Sequence, residues 1–399
     1  MNNQPIQLSA ARTRAIMISL LALSPITGMA VDLIAPSLPS MSESLHVSSG
    51  SIKSVIWLYL IGYALGNFLT GFLADAWGRQ KLSRSGLLGF VFASLLPVIF
   101  PTIDILLFAR FLQGLTIGTV AVTSRTIYAD ILPPEKLTRM GTLAGTMFGL
   151  GPVLGPVIGG YLQYYYGWQS CFIFFLSISF IGFIVVFFVV PETHFTRQPL
   201  HITTIRKNML EVFHHREFMG LIFLMGCVYS LIISFHTLAP FLVESALHYS
   251  SIFFGRLALY LGLAFLSATF VCRALLKKYS SAILTAIFVH LFFAIALIGL
   301  LLSFLSNESI VLITVISAFM FYCTGTLFPM SMGRGMTNFR RIAGTATAIM
   351  YFINILMTSL TSFLMSFVNI HSTTTLMWVY VSLMSLCVGI YWAFLKDRS

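Results

Sequence analysis

Apolar runs of about twenty residues follow one another along this chain and constrain its fold more than any other feature. The clearest run is CFIFFLSISFIGFIVVFFVV at residues 171–190, which has no charged side chain. A helix of this length spans the hydrocarbon core of a bilayer. Only helices and closed barrels satisfy their backbone polar groups there, and barrel strands alternate apolar and polar residues over about ten positions. These runs do not alternate, so the sequence predicts an all-α integral membrane protein.

The composition agrees with a membrane-embedded chain, and short polar segments divide the chain into twelve predicted transmembrane helices. Hydrophobic residues make up 58% of the 399 residues and charged residues only 9%, whereas soluble proteins have about 25% charged residues. The predicted helices lie near residues 14–36, 51–73, 82–100, 103–128, 140–162, 169–190, 218–240, 254–276, 281–304, 309–330, 342–367 and 374–395. A polar stretch at 191–217 separates six from six. We therefore predict two six-helix bundles, residues 1–190 and 218–399, joined by a cytoplasmic linker.

The distribution of Lys and Arg predicts the orientation of the chain. With the N-terminus in the cytoplasm, all but four of the 23 basic residues fall on the cytoplasmic side, as the positive-inside rule requires. The exceptions are Lys53 and Arg256, predicted to lie outside, and Arg110 and Arg125 within the fourth helix. Both termini are therefore expected to be cytoplasmic. The net charge of +11 is spread along one membrane face, so nucleic-acid binding is not expected.

Three charged residues fall at membrane depth, where charge is costly and usually functional. Asp32 lies in the outer half of the first helix, which is predicted to bend or unwind there because Pro25 and Pro36 flank it. Asp32 either exchanges protons in an apolar cavity or is an interfacial acid in contact with water. Arg110 needs acids or backbone carbonyls of neighbouring helices as partners. Arg125 lies about four turns along the same helix, and it either shares a face with Arg110 or snorkels to the cytoplasmic interface.

Weaker candidates for a transport cavity are polar residues within other predicted helices: Asn67, Gln113, His236, Tyr322 and Asn354. Each either lines a cavity or forms a hydrogen bond between helices. The five cysteines all lie in apolar segments and are expected to be small buried side chains.

Two stretches resemble signatures of the major facilitator superfamily. GFLADAWGRQK at residues 71–81, in the loop between the second and third helices, is similar to the superfamily's cytoplasmic loop motif, with Gly71, Asp75, Gly78 and Arg79 matching. The basic residue usual after the aspartate is replaced by Ala76. RFLQG at residues 110–114 resembles the fourth-helix signature that the superfamily links to proton coupling. The resemblance implies that the loop residues form a cytoplasmic gate and that Arg110 acts with Asp32 in proton coupling.

Two further motifs resemble the drug:proton antiporters of this superfamily. VDLIAPSLP at residues 31–39 is similar to their first-helix pattern, particularly in the bicyclomycin-resistance (Bcr/CflA) branch, which Pro191–Thr193 and AGTATA at residues 343–348 also fit. GPVLGPVIGG at residues 151–160 resembles the antiporter signature of the fifth helix. Some relatives have a second acid two turns before Asp32, where this chain has Ser24. A single acid in the cavity would limit how many protons are coupled.

The antiporter signature concentrates glycines and prolines within one predicted helix: Gly151, Pro152, Gly155, Pro156, Gly159 and Gly160. Gly151, Gly155 and Gly159 are four residues apart, so they lie on one helix face, and small residues there let helix backbones approach closely. Gly141, Gly145 and Gly149 form a second row. The first row is either a packing surface alone or a pliant hinge between bundles that also limits proton leakage.

The sequence thus predicts a proton-coupled antiporter of the inner membrane that exports drugs or other amphipathic molecules by alternating access. An exporter of a self-made metabolite, such as a siderophore or a sugar, is the alternative. A receptor or enzyme is disfavoured because the loops are short and the chain has neither a GxxxxGK[ST] phosphate loop nor a cluster of catalytic or metal-binding side chains. We expect no cofactor and no metal. The expected partners are a small organic substrate, protons and the lipid bilayer, with the protein a monomer.

Overall fold

A computed structural model of the chain describes residues 9–193, 209–306, 308–337, 339 and 343–396. Most of the predicted linker therefore lies outside the described residues. Within those ranges the regular structure is helical and no strand occurs. Twelve long helices follow the predicted order, and their bounds differ from the predicted ones by several residues.

Six of the long helices precede the linker. They are α1 (Ala10–Met29), α2 (Ser49–Trp77), α3 (Arg79–Ile99), α4 (Ile103–Ile131), α5 (Pro134–Tyr166) and α6 (Gln169–Val189). Helix α1 begins at a serine cap, since the Ser9 hydroxyl accepts a hydrogen bond from the backbone N–H of Arg12. Gly78 alone separates α2 from α3, so the two helices are joined by a very tight turn.

The other six long helices follow the linker. They are α7 (Arg216–Pro240), α8 (Ser251–Leu275), α9 (Ser281–Ser303), α10 (Ile310–Thr337), α11 (Ala343–Met365) and α12 (Thr373–Ile390). Serine hydroxyls cap α8, α9 and α12 by accepting a backbone N–H three residues on; these caps are Ser250, Ser280 and Ser372. A π-helical turn extends α7 over Phe241–Ala246 and another extends α12 over Tyr391–Leu395.

Eleven helical stretches in the described residues are long and apolar enough to cross a membrane, and α1 is the long helix not among them. The predicted first helix ran to residue 36, but α1 ends at Met29. A 3₁₀ turn at Ala35–Ser37 and a short helix at Leu38–Ser44 follow. The predicted unwinding near Asp32 is thus confirmed. Pro36 lacks the N–H that would bond to the Asp32 carbonyl in a continuing helix, so a regular helix cannot run on through this segment.

The described residues form two compact units. One unit comprises the chain up to Ile34 and from Leu58 through α6. The other comprises Ala35–Trp57 and helices α7–α12. The boundary therefore falls inside α2, after Trp57. The first residues of α2 and the short helix before it pack as part of the second unit, whereas the sequence places them in the predicted first bundle.

Candidate functional site

Asp32 lies in the unwound segment between α1 and the 3₁₀ turn, and its side chain is only 3% exposed. Backbone hydrogen bonds hold this segment as a series of turns, with the N–H of Leu33 donating to the carbonyl of Met29 at 2.9 Å. Ala30, Leu33 and Ile34 are fully buried around it. Asp32 is therefore enclosed by protein in this structure and is not an acid exposed to water at the surface.

Arg110, on α4, is fully buried and reaches the same segment. Its Nη2 donates to the Ala30 carbonyl at 3.0 Å, and its Nη1 donates to Oε1 of Gln113 at 2.9 Å. Its guanidinium carbon lies 4.4 Å from the ring centroid of Tyr59 on α2, a cation–π distance. A neighbouring backbone carbonyl was one of the partners expected for Arg110. The arginine thus holds the chain two residues before Asp32.

Gln113 joins Arg110 to a third helix. It is fully buried, and its Nε2 donates to the hydroxyl of Ser94 on α3 at 2.8 Å. Ser94 in turn donates to the carbonyl of Phe90 at 2.8 Å. The structure therefore places Gln113 in a buried polar network between α3 and α4, and its predicted place in a transport cavity remains a prediction.

The turn between α2 and α3 is closed by a carboxylate from the end of α6. Oε1 of Glu192 accepts the backbone N–H of Arg79 at 3.0 Å, and Oε2 accepts that of Gln80 at 3.3 Å. An acid at the first N–H groups of a helix is favoured by the helix dipole. Gly78 is needed here because its φ is +92° and a Cβ would collide with Glu192. The sequence did not reveal this role of Glu192; its only signal was the Pro191–Thr193 resemblance.

Of the residues predicted to form the cytoplasmic gate, Arg79 has the best-defined contacts in the structure. Arg79 is buried, and its Nε lies 3.3 Å from Oδ2 of Asp130 at the end of α4. Thr193 donates to the same carboxylate oxygen at 2.7 Å. A Cβ at Gly71 would meet no atom within 4 Å. The side chain of Asp75 lies outside the described residues.

The glycine row of α5 packs directly on α1 and on the segment that carries Asp32. A Cβ at Gly151 would lie 2.5 Å from the carbonyl carbon of Gly28, and one at Gly159 would collide with the carbonyl oxygen of Leu33. A Cβ at Gly155 would lie 3.3 Å from that of Asp32. Only glycine allows the approach at Gly151 and Gly159, and a side chain at Gly155 would require its neighbours to shift slightly. Helix α5 runs without a break through Pro152 and Pro156.

Three comparisons with known proteins bear on this arrangement. A model of the Major Facilitator Superfamily matches residues 20–362. The chain belongs to this superfamily. It is similar to an uncharacterized transporter of Rickettsia felis, with 25% identity over 374 residues that cover 90% of this chain and 89% of the relative. It is also 25% identical over 340 residues, 84% of each chain, to multidrug resistance protein D of Escherichia coli strain K12.

The crystal structure of a D-xylose-proton symporter superposes with a TM-score of 0.78, covering 96% of this chain and 98% of that one at 15% identity. This likeness shows the fold alone. The all-α membrane fold and the resemblance to drug antiporters of the Major Facilitator Superfamily are thus confirmed. The chain is a multi-pass membrane protein whose family and structural relatives are transporters.

Within this superfamily member, Arg125 and Asn67 form a polar pair separate from the Arg110 network. Nη2 of Arg125 donates to Oδ1 of Asn67 at 2.7 Å, and its Nε donates to the Ala121 carbonyl at 3.1 Å. Asn67 also donates to the Tyr63 carbonyl at 2.9 Å. Arg125 itself is exposed in the structure. These bonds fix the guanidinium against α2, so its orientation is set by protein contacts.

The candidate residues of the second unit differ in their surroundings. His236 is fully buried and lies edge-on to Phe321, with ring centroids 5.9 Å apart. Tyr322 is half-buried. Asn354 is buried, and its Nδ2 has no hydrogen-bond acceptor among the residues that the structure describes. The place of these three residues in a transport cavity stays a prediction.

Lys53, which the sequence assigned to the outer side of the membrane, is a buried cation like Arg110 in the structure. It lies four residues into the candidate span Ser49–Gly71 and is fully buried. Its Nζ donates to the Val368 carbonyl at 2.7 Å and lies 5.1 Å from the ring centroid of Phe241. Counting charges by position could not detect this burial, because the covering residues come from the π-helical extension of α7 and from the loop after α11.

Proposed function

We propose that this chain exports amphipathic small organic molecules across the inner membrane in exchange for protons. The observation that carries the proposal is the burial of Asp32 in an unwound segment, with Arg110 bonded to the carbonyl two residues before it and the antiporter glycine row packed against it. The similarity to a relative named for multidrug resistance supports the cargo class.

Asp32 is the proton-binding group in this proposal. Gain or loss of its proton changes the local charge by one unit, and charges interact strongly where water is excluded. Arg110 transmits that change because it is bonded to the same segment at Ala30. Gly155 lets α5 follow the movement of this segment, since its lack of a side chain leaves the two backbones in direct contact.

Alternating access converts this coupling into export. The two six-helix bundles, residues 1–190 and 218–399, rock about a site near the membrane midplane, as is general for transporters built from repeats. Both termini lie in the cytoplasm. The junction of Gly78, Arg79 and Glu192 closes on that side, together with the remaining motif residues Gly71 and Asp75. The working unit is a monomer in the bilayer.

Replacement of Asp32 by Asn tests the proposal, since Asn keeps the shape and removes the titrating group. We expect Asp32→Asn to abolish export driven by a pH gradient in proteoliposomes while thermal unfolding in detergent stays unchanged. Asp104→Asn is the matched control, because Asp104 is an exposed acid in the first turn of α4. Unchanged gradient-driven export by Asp32→Asn would refute the assignment.

A self-made metabolite, such as a siderophore or a sugar, is the alternative cargo on the same fold. The guanidinium of Arg125 is exposed and is held in place by Asn67. A cation in this setting suits a negatively charged cargo, so it favours an anionic metabolite. Competition for export among cationic, neutral and anionic compounds separates the two cargoes. Selective loss of anion export in Arg125→Gln would support the metabolite. The susceptibility of a deletion strain to drugs would support drug export.

A further inference from the structure

We propose that Ser94 is a positioning residue for proton coupling, acting through Gln113 on Arg110. The inference rests on the proposed function, because it extends the coupling network by one helix. Ser94 lies on α3, outside all the family motifs described above. The network connects the carbonyl of Phe90 on α3 with the carbonyl of Ala30, two residues before Asp32.

The direction of every hydrogen bond in this network follows from Arg110. A guanidinium only donates, so the amide oxygen of Gln113 must face it. The amide nitrogen of Gln113 must then point to Ser94 and donate to its hydroxyl oxygen. Ser94 consequently directs its own proton to the Phe90 carbonyl. Ser94 therefore supplies the acceptor for the amide nitrogen in the one orientation of Gln113 that can accept from Arg110.

Because the network is buried, loss of the Ser94 hydroxyl would be costly. Ser94, Gln113 and Arg110 are all fully buried, so water cannot replace a missing partner. Without the serine hydroxyl, the amide nitrogen of Gln113 would lose its acceptor in an environment where unsatisfied donors are costly. The amide would then rotate or shift, and Nη1 of Arg110 would lose its fixed acceptor. Arg110 would hold Ala30 less precisely, and the segment that carries Asp32 would be less firmly positioned as a result.

Ser179 provides a matched comparison within the same unit. It is also a fully buried serine in a long helix, but its hydroxyl donates to carbonyls of its own helix, at Phe175 and Leu176. Ser94 makes the same kind of bond to its own helix and in addition accepts from α4. The difference between the two serines is this bond between helices.

The experiment compares Ser94→Ala with Ser179→Ala in proteoliposomes. Two rates are measured for each variant, export driven by a pH gradient and exchange of labelled substrate without a gradient. We expect Ser94→Ala to lower the gradient-driven rate about tenfold and to leave exchange near the wild-type rate. Ser179→Ala should change both rates little and equally. A fall of both rates in the same proportion in Ser94→Ala would indicate a packing role and overturn the proposal.

A double-mutant cycle with Gln113→Leu tests the proposed route. If Ser94 acts through Gln113, Ser94→Ala should have no further effect on the gradient-driven rate once Gln113 is Leu. Additive effects would overturn the proposal. Wild-type protein that exchanges substrate but shows no response to a pH gradient would instead refute the proposed function. Even then, the Ser94–Gln113 bond could be measured as a coupling free energy in the thermal unfolding of the wild type, Ser94→Ala, Gln113→Leu and the double variant.

Discussion

Arg110 in the first unit and Lys53 in the second are two fully buried cations with similar immediate surroundings. Each donates to a backbone carbonyl, Ala30 for Arg110 and Val368 for Lys53. Each also lies over an aromatic ring, at 4.4 Å from Tyr59 for the arginine and 5.1 Å from Phe241 for the lysine. The two sites differ in the further hydrogen-bond acceptors that they offer to the cation.

The Arg110 site is built for a permanent charge, and the Lys53 site is not. Arg110 has the side chain of Gln113 as a second acceptor, which is itself anchored by Ser94. Lys53 has three N–H donors if protonated, but Val368 is its only hydrogen-bond acceptor among the described residues. Desolvation of a charge costs several kcal/mol, which only well-placed partners offset. The lesson is that equal burial of two cations does not imply equal stabilisation.

The largest expected difference is between Arg110→Met and Lys53→Met, which remove each charge at similar volume. Arg110→Met should lower the free energy of unfolding by about 3–5 kcal/mol, because it breaks a buried network and leaves Gln113 without its donor. Lys53→Met should leave that free energy unchanged or raise it. Denaturant unfolding in detergent measures both. A comparable loss for both variants would contradict the distinction between the sites.

Exchange of one cation for the other tests the shape of each site. Lys53→Arg should lower the free energy of unfolding by about 1–3 kcal/mol, since a larger planar group enters a closely packed site. Arg110→Lys should fold but lose gradient-driven export, because one ammonium cannot reproduce the two directed bonds to Gln113 and Ala30. Retention of full export by Arg110→Lys would show that charge alone suffices.

Removal of the aromatic faces gives the smallest expected effect. Tyr59→Leu should lower the free energy of unfolding by about 0.5–2 kcal/mol through loss of the cation–π contact. The loss should become smaller in an Arg110→Met background, where the cation is absent. Tyr63→Leu serves as control, because Tyr63 stacks on Tyr59 at a centroid distance of 6.1 Å. An equal effect in both backgrounds would assign the contribution of Tyr59 to packing alone.

The sequence predicted the Arg110 site better than the Lys53 site for a physical reason. Arg110 lies in the middle of an apolar run, so its burial and its need for carbonyl partners follow from local sequence. Lys53 lies near the start of a helix, where a lysine can equally extend into water. Its burial depends on Phe241 and Val368, which are far away in the chain, and no local pattern reveals their proximity.

The same distinction applies to the glycines of α5 and to the acid at the turn after α2. The spacing of Gly151, Gly155 and Gly159 was enough to predict a close contact, since four-residue spacing places them on one helix face. Their partner, the segment of Asp32, was not predictable from that spacing. The capping of α3 by Glu192 was missed because the carboxylate and the N–H groups that it accepts are more than a hundred residues apart in the chain.

By itself, the sequence determined that this protein is a bundle of membrane-crossing helices, which residues carry charge into the membrane, and which helix face is bare enough for backbone contact. These properties follow from hydrophobic run length, local charge and helical periodicity. Only the tertiary structure decided which partner each buried group meets, as in the network from Ser94 through Gln113 and Arg110 to Ala30. Hydrogen bonds act over about 3 Å, so distant segments must be brought together before their partners are defined.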